Sequence, residues 1–436
     1  MNRLKSLTIF VSACVVPLFL PVTQTHAEPD DFDKTLEEYD RRLRLLEEED
    51  SHEDGPVHEE KTFNPAISVI LDGIYASYKN DPEDYRLPGY ALGGEAGLAP
   101  EGFSLGHSEI IFRSTIDDKF YGQFSISIAE HDNEIEVELE EAFFETLSLG
   151  RGFNLRAGRF YSAVGYLNQQ HRHEWDFQDA PLVYRGLFGD QYSDDGLRLT
   201  YTAPTDLIIE LGAEALSGSN YPAGGQHDGV GSWTAFANIG DVTGMNHRWQ
   251  AGLSYMSADN IEREYSEHAH TTVSAEIPVF TGDSRLIGAN AIYIWAPGGK
   301  SRDQNLMLQF EYFARDEAGD ISLLNSNPLE NSTLDSRQSG WYLQAIWQFD
   351  HHWRMGLRYD ILDSDSTGSD SDVLAEAGLV ANGYRPERMS IMAEWIPSEF
   401  SRIRLQYNRD DSYQLSDNQV YVQYTFIMGS HGAHKL

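Results

Sequence analysis

From Phe63 onward, apolar and polar residues alternate in runs of about ten, separated by turn-forming segments. The last run is the clearest: Val420, Val422, Tyr424 and Phe426 fall on one face, Gln419, Tyr421, Gln423 and Thr425 on the other. Phe124, Ile126 and Ile128 alternate in the same way with Gln123, Ser125 and Ser127. Trp353, Met355, Leu357, Tyr359 and Ile361 alternate with Arg354, Gly356, Arg358 and Asp360. Period two sends successive side chains to opposite faces of a strand. A water-soluble barrel alternates too, but it needs far fewer strands. Aromatic residues recur at the strand ends, as an interfacial girdle requires. The expected fold is therefore all-β, a transmembrane antiparallel β-barrel.

Turn lengths set the strand count. Tyr201-Thr202-Ala203-Pro204, Trp295-Ala296-Pro297 and Trp395-Ile396-Pro397 share one chemistry, an aromatic anchor followed by a proline turn. Short turns belong on the periplasmic side and long loops outside. With these three placed as periplasmic, upward strands are expected near residues 65, 119, 153, 206, 247, 303, 352 and 400. Downward strands are expected near 104, 134, 191, 232, 285, 338, 387 and 417. The total is about 16, an even number, with the chain ending on the periplasmic side. This parity forces His268 to Phe280, which could pass for a strand, into an external loop.

The first residues bear on compartment. Arg3 and Lys5 precede the apolar run Leu7 to Leu20, and Thr25-His26-Ala27 supplies a cleavage site, so residues 1–27 read as a signal peptide. Val11-Ser12-Ala13-Cys14 resembles a lipoprotein box, but the apolar run continues past Cys14, which argues against lipidation. Cys14 is the single cysteine, so the mature chain has no thiol chemistry. In residues 28–62, Phe32, Leu36, Tyr39, Leu43 and Leu46 are spaced 4-3-4-3, the seam of a coiled coil. That segment is read either as a solvated amphipathic helix or as a short periplasmic helix joining protomers, followed by an acidic linker from Glu47 to Lys61. The barrel is expected over 63–429, with a histidine-containing tail at 430–436.

Charge narrows the partners. The chain carries 32 Lys and Arg against 69 Asp and Glu, a net charge of −37, and loses two more positive charges with the signal peptide. This argues against nucleic acid. A TonB-dependent transporter has a barrel of about 22 strands filled by a folded plug, and the stretch from Glu28 to Phe63 leaves no room for one.

Three groups of residues carry candidate chemistry. Glu134, Glu136, Glu138 and Glu140 alternate with Ile135, Val137 and Leu139, and only a lumen accepts four carboxylates at period two on a lipid-embedded strand. They are expected to line the pore, unless the upper ones stand in loop water. Arg354, Arg358, Arg388, Arg402 and Arg404 fall on the polar register of strands 13 to 15. Facing the glutamates across a pore they would set up a transverse field; pairing locally they would only rigidify the wall. His52 with His58, His171 with His173, and His268 with His270 lie among carboxylates outside the strands, and His431 and His434 stand in the tail. Imidazole with carboxylate suits zinc and other first-row ions, although none has structural-zinc spacing. No resident cofactor is expected, only transient capture of a divalent ion. Gly102-Phe103-Ser104-Leu105-Gly106 matches G-x-S-x-G, but that motif needs a strand–turn–helix, so Ser104 is not expected to be catalytic.

Several stretches carry a family resemblance: Phe63-Asn64-Pro65-Ala66-Ile67, Gly102 to Gly106, Ala157-Gly158-Arg159-Phe160, Gly165-Tyr166-Leu167-Asn168, Ser398-Glu399-Phe400-Ser401-Arg402 and Gly432-Ala433-His434-Lys435. Together they resemble Gram-negative outer-membrane proteins labelled zinc-regulated TonB-dependent receptors. The chain is also similar to LbtU-type siderophore porins, which pair an N-terminal coiled coil with a plug-less barrel. The resemblance implies uptake of a metal or metal chelate. The final Leu436 departs from the terminal aromatic residue usual in such barrels, so Tyr424 and Phe426 are the expected signal to the assembly machinery. The expected function is passage of a small polar solute, a metal ion such as zinc or a metal–siderophore complex. The alternatives are a barrel hydrolase or a structural, adhesive barrel. Expected partners are outer-membrane lipid and lipopolysaccharide, the solute, the barrel assembly machinery and, through the coiled coil, a homotrimer; TonB is not among them.

Overall fold

The structure, a computed structural model, describes residues 65–131, 134–147, 149–225, 229–265, 277–326 and 329–429. The signal peptide, the 28–62 helix with His52 and His58, the pair His268 and His270, and the tail with His431 and His434 lie outside these residues.

Alternation becomes strand along the described chain. β1 (Ala66–Ser77), β2 (Gly102–Leu105), β3 (Ser108–Thr115), β4 (Phe120–His131), β5 (Glu134–Thr146) and β6 (Phe153–Tyr161) come first. A long excursion over 162–192 holds the short helix α1 (Leu182–Phe188). Next are β7 (Ser193–Thr202), β8 (Ile208–Leu216), β9 (Ser232–Thr243), β10 (His247–Glu264), β11 (Ile277–Trp295), β12 (Asn305–Leu324), β13 (Glu330–Asp350) and β14 (Trp353–Thr367). After α2 (Ser371–Glu376) the described residues end in β15 (Glu387–Ser398), β16 (Ser401–Asp411) and β17 (Asp417–Gly429). Each strand pairs antiparallel with its sequence neighbour, and β1 closes the ring against β17, from Ser68 opposite Gly429 to Ser77 opposite Val420. β2 and β3 both pair with β1 and are two halves of one stave, interrupted at Gly106–His107. The result is a closed antiparallel barrel of 16 strands.

The register confirms which face meets lipid. Met355, Leu357, Tyr424 and Phe426 are exposed, whereas Arg354, Arg358, Gln423 and Thr425 are buried. Aromatic pairs mark the turn end of the wall, with Phe153 against Tyr201 at 4.9 Å and Trp353 against Trp395 at 6.4 Å. Trp233 against Tyr255 and Trp341 against Tyr359 mark the loop half, at 5.1 Å and 5.7 Å. Among the described residues no helix is long and apolar enough to cross a membrane.

Two strand starts differ from expectation. β11 begins at Ile277 and β13 at Glu330, so Ile277 to Phe280 are strand and not loop. The ladder outlasts the apolar band: Asp316, Thr333, Asp335 and Arg337 point outward there, into water. Hydrogen bonding between neighbours needs no lipid, so the pairing continues where the hydrophobic pattern stops.

The lumen is packed. Residues 162–192 turn inward between β6 and β7, burying all of α1, and Leu182, Tyr184, Leu187 and Phe188 join one core with Phe160, Phe313 and Tyr342 of the wall. Gly189 ends α1 in the left-handed region, φ 63°, where a side chain would also strike Gly93 and Gly94. The 78–101 segment folds in as well, and Tyr90 donates to the carbonyls of Ser339 and Asp363.

Candidate functional site: a bridged lumen and its carboxylate–histidine cluster

The five arginines of the polar register all turn inward and are buried, but they do not face an open pore. They hold the inner loop. Arg402 donates to the carbonyl of His173, and Arg404 to that of Trp175 at 2.8 Å. Arg354 reaches Asp176 at 3.2 Å. Arg358 binds the carbonyl and carboxylate of Asp179 at 2.8 Å and 2.7 Å, and Arg388 binds the same carboxylate at 2.8 Å. Glu394 neutralises Arg354 and Arg404, at 2.8 Å and 2.7 Å. The cross-lumen field is replaced by local pairing, because buried guanidiniums persist only where carboxylates and carbonyls saturate them. Burial alone would raise the Asp179 carboxyl, but Arg388, Arg358 and Arg185 outweigh it and hold the group below the ordinary carboxylate range.

Glu311 of β12 anchors the loop elsewhere, accepting from the backbone N–H of Tyr166 at 2.7 Å, that of Leu167 at 3.1 Å and the Tyr342 hydroxyl at 2.5 Å. The third anchor is on β3 and β5. β5 stands on the far side of the ring from β12–β14, so the loop crosses the lumen from wall to wall.

On β5 the acidic ladder divides. Ile135 and Val137 are 70% and 65% exposed, as outward residues should be. Glu136 and Glu138 point in and line a cavity; Glu134 begins the strand, and its side chain lies outside the described set. Ser125 pairs with Glu141 and Ile126 with Leu139, so Glu140 is an extra residue in a β-bulge. A bulge reverses the alternation, and Glu140 and Glu141 are both buried on the lumen side.

Together with Glu109 of β3, these two carboxylates meet three histidines. His107, at the break between β2 and β3, lies 2.5 Å from Glu140 Oε1. His171 lies 3.0 Å from Glu141 through Nε2 and 2.9 Å from Glu109 Oε2 through Nδ1. His173 Nδ1 lies 2.9 Å from Glu109 Oε1. Tyr161 donates to Glu140 at 2.8 Å, and Gln123 to Glu141 at 2.6 Å. Burial alone would lower the His171 imidazole, but Glu109, Glu140 and Glu141 hold it well above its ordinary value.

Beside the cluster is a cavity of about 780 Å³, lined by Glu95, Glu136, Glu138, Arg159 and Arg172 among others. β5 pairs with β6 only from Ala142 to Glu145, and beyond that Arg159 reaches back to the carbonyl of Leu139 at 3.4 Å. The acidic edge of β5 therefore borders the cavity without a strand partner on that side. Ser104 also lines the cavity, from the extended strand β2 and not from a strand–turn–helix elbow.

The fold has solved counterparts. The loop L8 deletion mutant of OmpT, an outer-membrane protein of Vibrio cholerae, superposes with a TM-score of 0.51 at 11% identity, over 84% of this chain and 99% of that one. In-vitro folded OmpT in its trimer form gives 0.50 at 9% identity, over the same 84% and 99%. In sequence, a protein of Aquifex aeolicus (strain VF5) described as uncharacterized is 28% identical over 415 residues, 86% of this chain and 80% of its own length. No protein-family model matches the chain.

Of the expected site residues, Glu140, His171 and His173 come together, while Glu136 and Glu138 stand at the adjoining cavity. The arginines belong to the loop anchor. His171 and His173 lie outside the strands, as expected, but the loop buries them inside the barrel to 6% and 3% exposure. His107, Glu109, Glu141 and Asp179 were not picked out from sequence. His107 and Glu109 carry a weak period-two signal, and Glu141 breaks the ladder's alternation, which is the mark of a bulge.

Proposed function

We propose that the chain is an outer-membrane channel or receptor-like barrel that takes up a small polar solute with a preference for cations. The observation that carries this reading is the cavity of about 780 Å³ inside the barrel, bordered by Glu95, Glu136, Glu138 and the buried Glu140. A lumen narrowed by its own loop and lined by carboxylates lowers the entry barrier for cations and raises it for anions. The inner loop takes the place of a plug domain, so the transport needs no TonB coupling. We extend the cargo to a divalent metal ion or a small metal chelate, a reading supported by the imidazoles beside the cavity and by the resemblance to metal-linked outer-membrane proteins. Outer-membrane lipid is the solvent for the outward apolar band, and we assign no catalytic role to Ser104.

Planar-bilayer recording of the purified protein is the test. Cation-preferring conductance is expected, and silence in every salt would overturn a conducting role. For the cargo, growth of the host in chelator-limited medium should depend on the protein; unchanged accumulation of zinc, iron and copper in a deletion strain would remove the metal.

A further inference from the structure

Within the cluster, Glu109 Oε2, Glu140 Oε2 and His171 Nδ1 are buried and have no hydrogen-bond partner. Their residues are 1%, 6% and 6% exposed. Yet the atoms converge: His171 Nδ1 lies 2.9 Å from Glu109 Oε2, out of hydrogen-bond geometry, and 3.6 Å from Glu140 Oε2. Glu109, His171 and His173 each offer one ligand atom, all within 4.8 Å of one another, and so do His107, Glu109 and Glu140. Two carboxylate oxygens and an imidazole nitrogen crowded in a buried site, with no well-formed hydrogen bond between them, suit a metal cation in place of the imidazole proton.

We propose that these residues form a binding site for one divalent first-row transition ion of the zinc class, with Glu109 as the ligand common to both triads. Mixed imidazole and carboxylate donors select such ions, whereas calcium and magnesium take oxygen ligands alone. The supporting shell suits the role. Tyr161 orients Glu140, Gln123 orients Glu141, and Arg402 grips the carbonyl of His173, which holds the imidazole-bearing turn in place. Glu109 and Glu140 belong to the wall and His171 and His173 to the crossing loop, so a bound ion ties the loop to β3 and β5. The site deepens the channel reading by naming the ion class held in the lumen, and it rests on that reading only for its consequence in transport.

The full chain, purified in detergent and stripped with chelator, is to be titrated with Co²⁺ and with Zn²⁺. The expected result is a visible Co²⁺ absorption of nitrogen–oxygen ligation, displaced by Zn²⁺, with one ion fewer per chain in Glu109→Gln and in His171→Ala. Heat-modifiable gel mobility reports that each variant still forms a barrel; should Glu109→Gln fail that check, His107→Ala at the rim of the cluster replaces it. Wild-type protein without the absorption, or a folded His171→Ala variant that binds as many ions as wild type, overturns the site. Conductance measured on the same preparations separates the two readings: binding without conductance sinks the channel, and conductance without binding sinks the site.

Discussion

Arg388 of β15 and Asp179 of the inner loop stand 209 residues apart in the chain and form a buried ion pair at 2.8 Å. Arg358 shares the same carboxylate at 2.7 Å, and the side chains of Gln406 and Asn408 complete it at 2.7 Å and 2.8 Å. One carboxylate thus collects the strand wall onto the loop that crosses the lumen.

Asp179→Ala should loosen that crossing. It leaves Arg358 and Arg388 with Asp360 as their remaining shared anion, at 3.1 Å and 3.5 Å, so the cost should fall at or below the about 3–5 kcal/mol of removing one partner of a buried pair. Because the barrel ladder is untouched, the expected phenotype is a lower melting temperature of a still-folded barrel, with larger and noisier bilayer conductance. Conductance and loop proteolysis indistinguishable from wild type would show that Asp179 does not hold the loop.

Acid should act on the same joint. Asp179 lies below its ordinary range, so its contribution is present at and above the unfolded carboxylate value of about 3.9 and is lost as pH falls through the lower folded value. The groups facing it are Arg358 and Asp360 of β14, Arg388 of β15, Asp410 of β16 and Arg185 of α1. Loop protection from protease is expected to hold from neutral pH down to about 4, to weaken progressively below it, and to be lost only as pH passes the lower folded value. Asp179→Asn should abolish that step, and an acid transition that persists in it would show that Asp179 is not its source.

The acidic edge of the cavity is separable from stability. Glu136→Gln combined with Glu138→Gln alters exposed lumen side chains, so stability should change by less than about 0.5 kcal/mol per site. Reversal potentials in a salt gradient should shift toward zero as cation preference declines. A preference that survives both substitutions would remove these residues as its source.

Membrane contact is testable on the wall itself. Leu357, 47% exposed, stands on β14 between the inward Gly356 and Arg358. Leu357→Arg should cost about 2–4 kcal/mol in lipid if the position lies near the bilayer midplane. Refolding titrations into vesicles would measure it, and a neutral effect would place that face in water or against another chain.

The barrel was legible because lipid imposes a local rule. Each strand must alternate to keep apolar side chains outward, and short proline turns such as the one after β7 at Ala203-Pro204 set the parity, so most strand starts fall within a few residues of expectation, although Trp395-Ile396-Pro397 proves to be the end of β15, ahead of its turn. The rule ends where the membrane ends, which is why β11 and β13 run longer than their hydrophobic pattern. The inward arginines were legible too, as the polar half of the same alternation, but not what they bind. Only tertiary structure decided that 162–192 crosses the lumen, because its partners Glu311, Arg358, Arg388 and Arg404 are contributed by strands remote in sequence, and no local period records such contacts. It likewise decided that one bulge at Glu140 and one inward loop bring Glu109, Glu140, His107, His171 and His173 together. Local alternation specifies which way a side chain points; ring closure and loop packing specify what it meets.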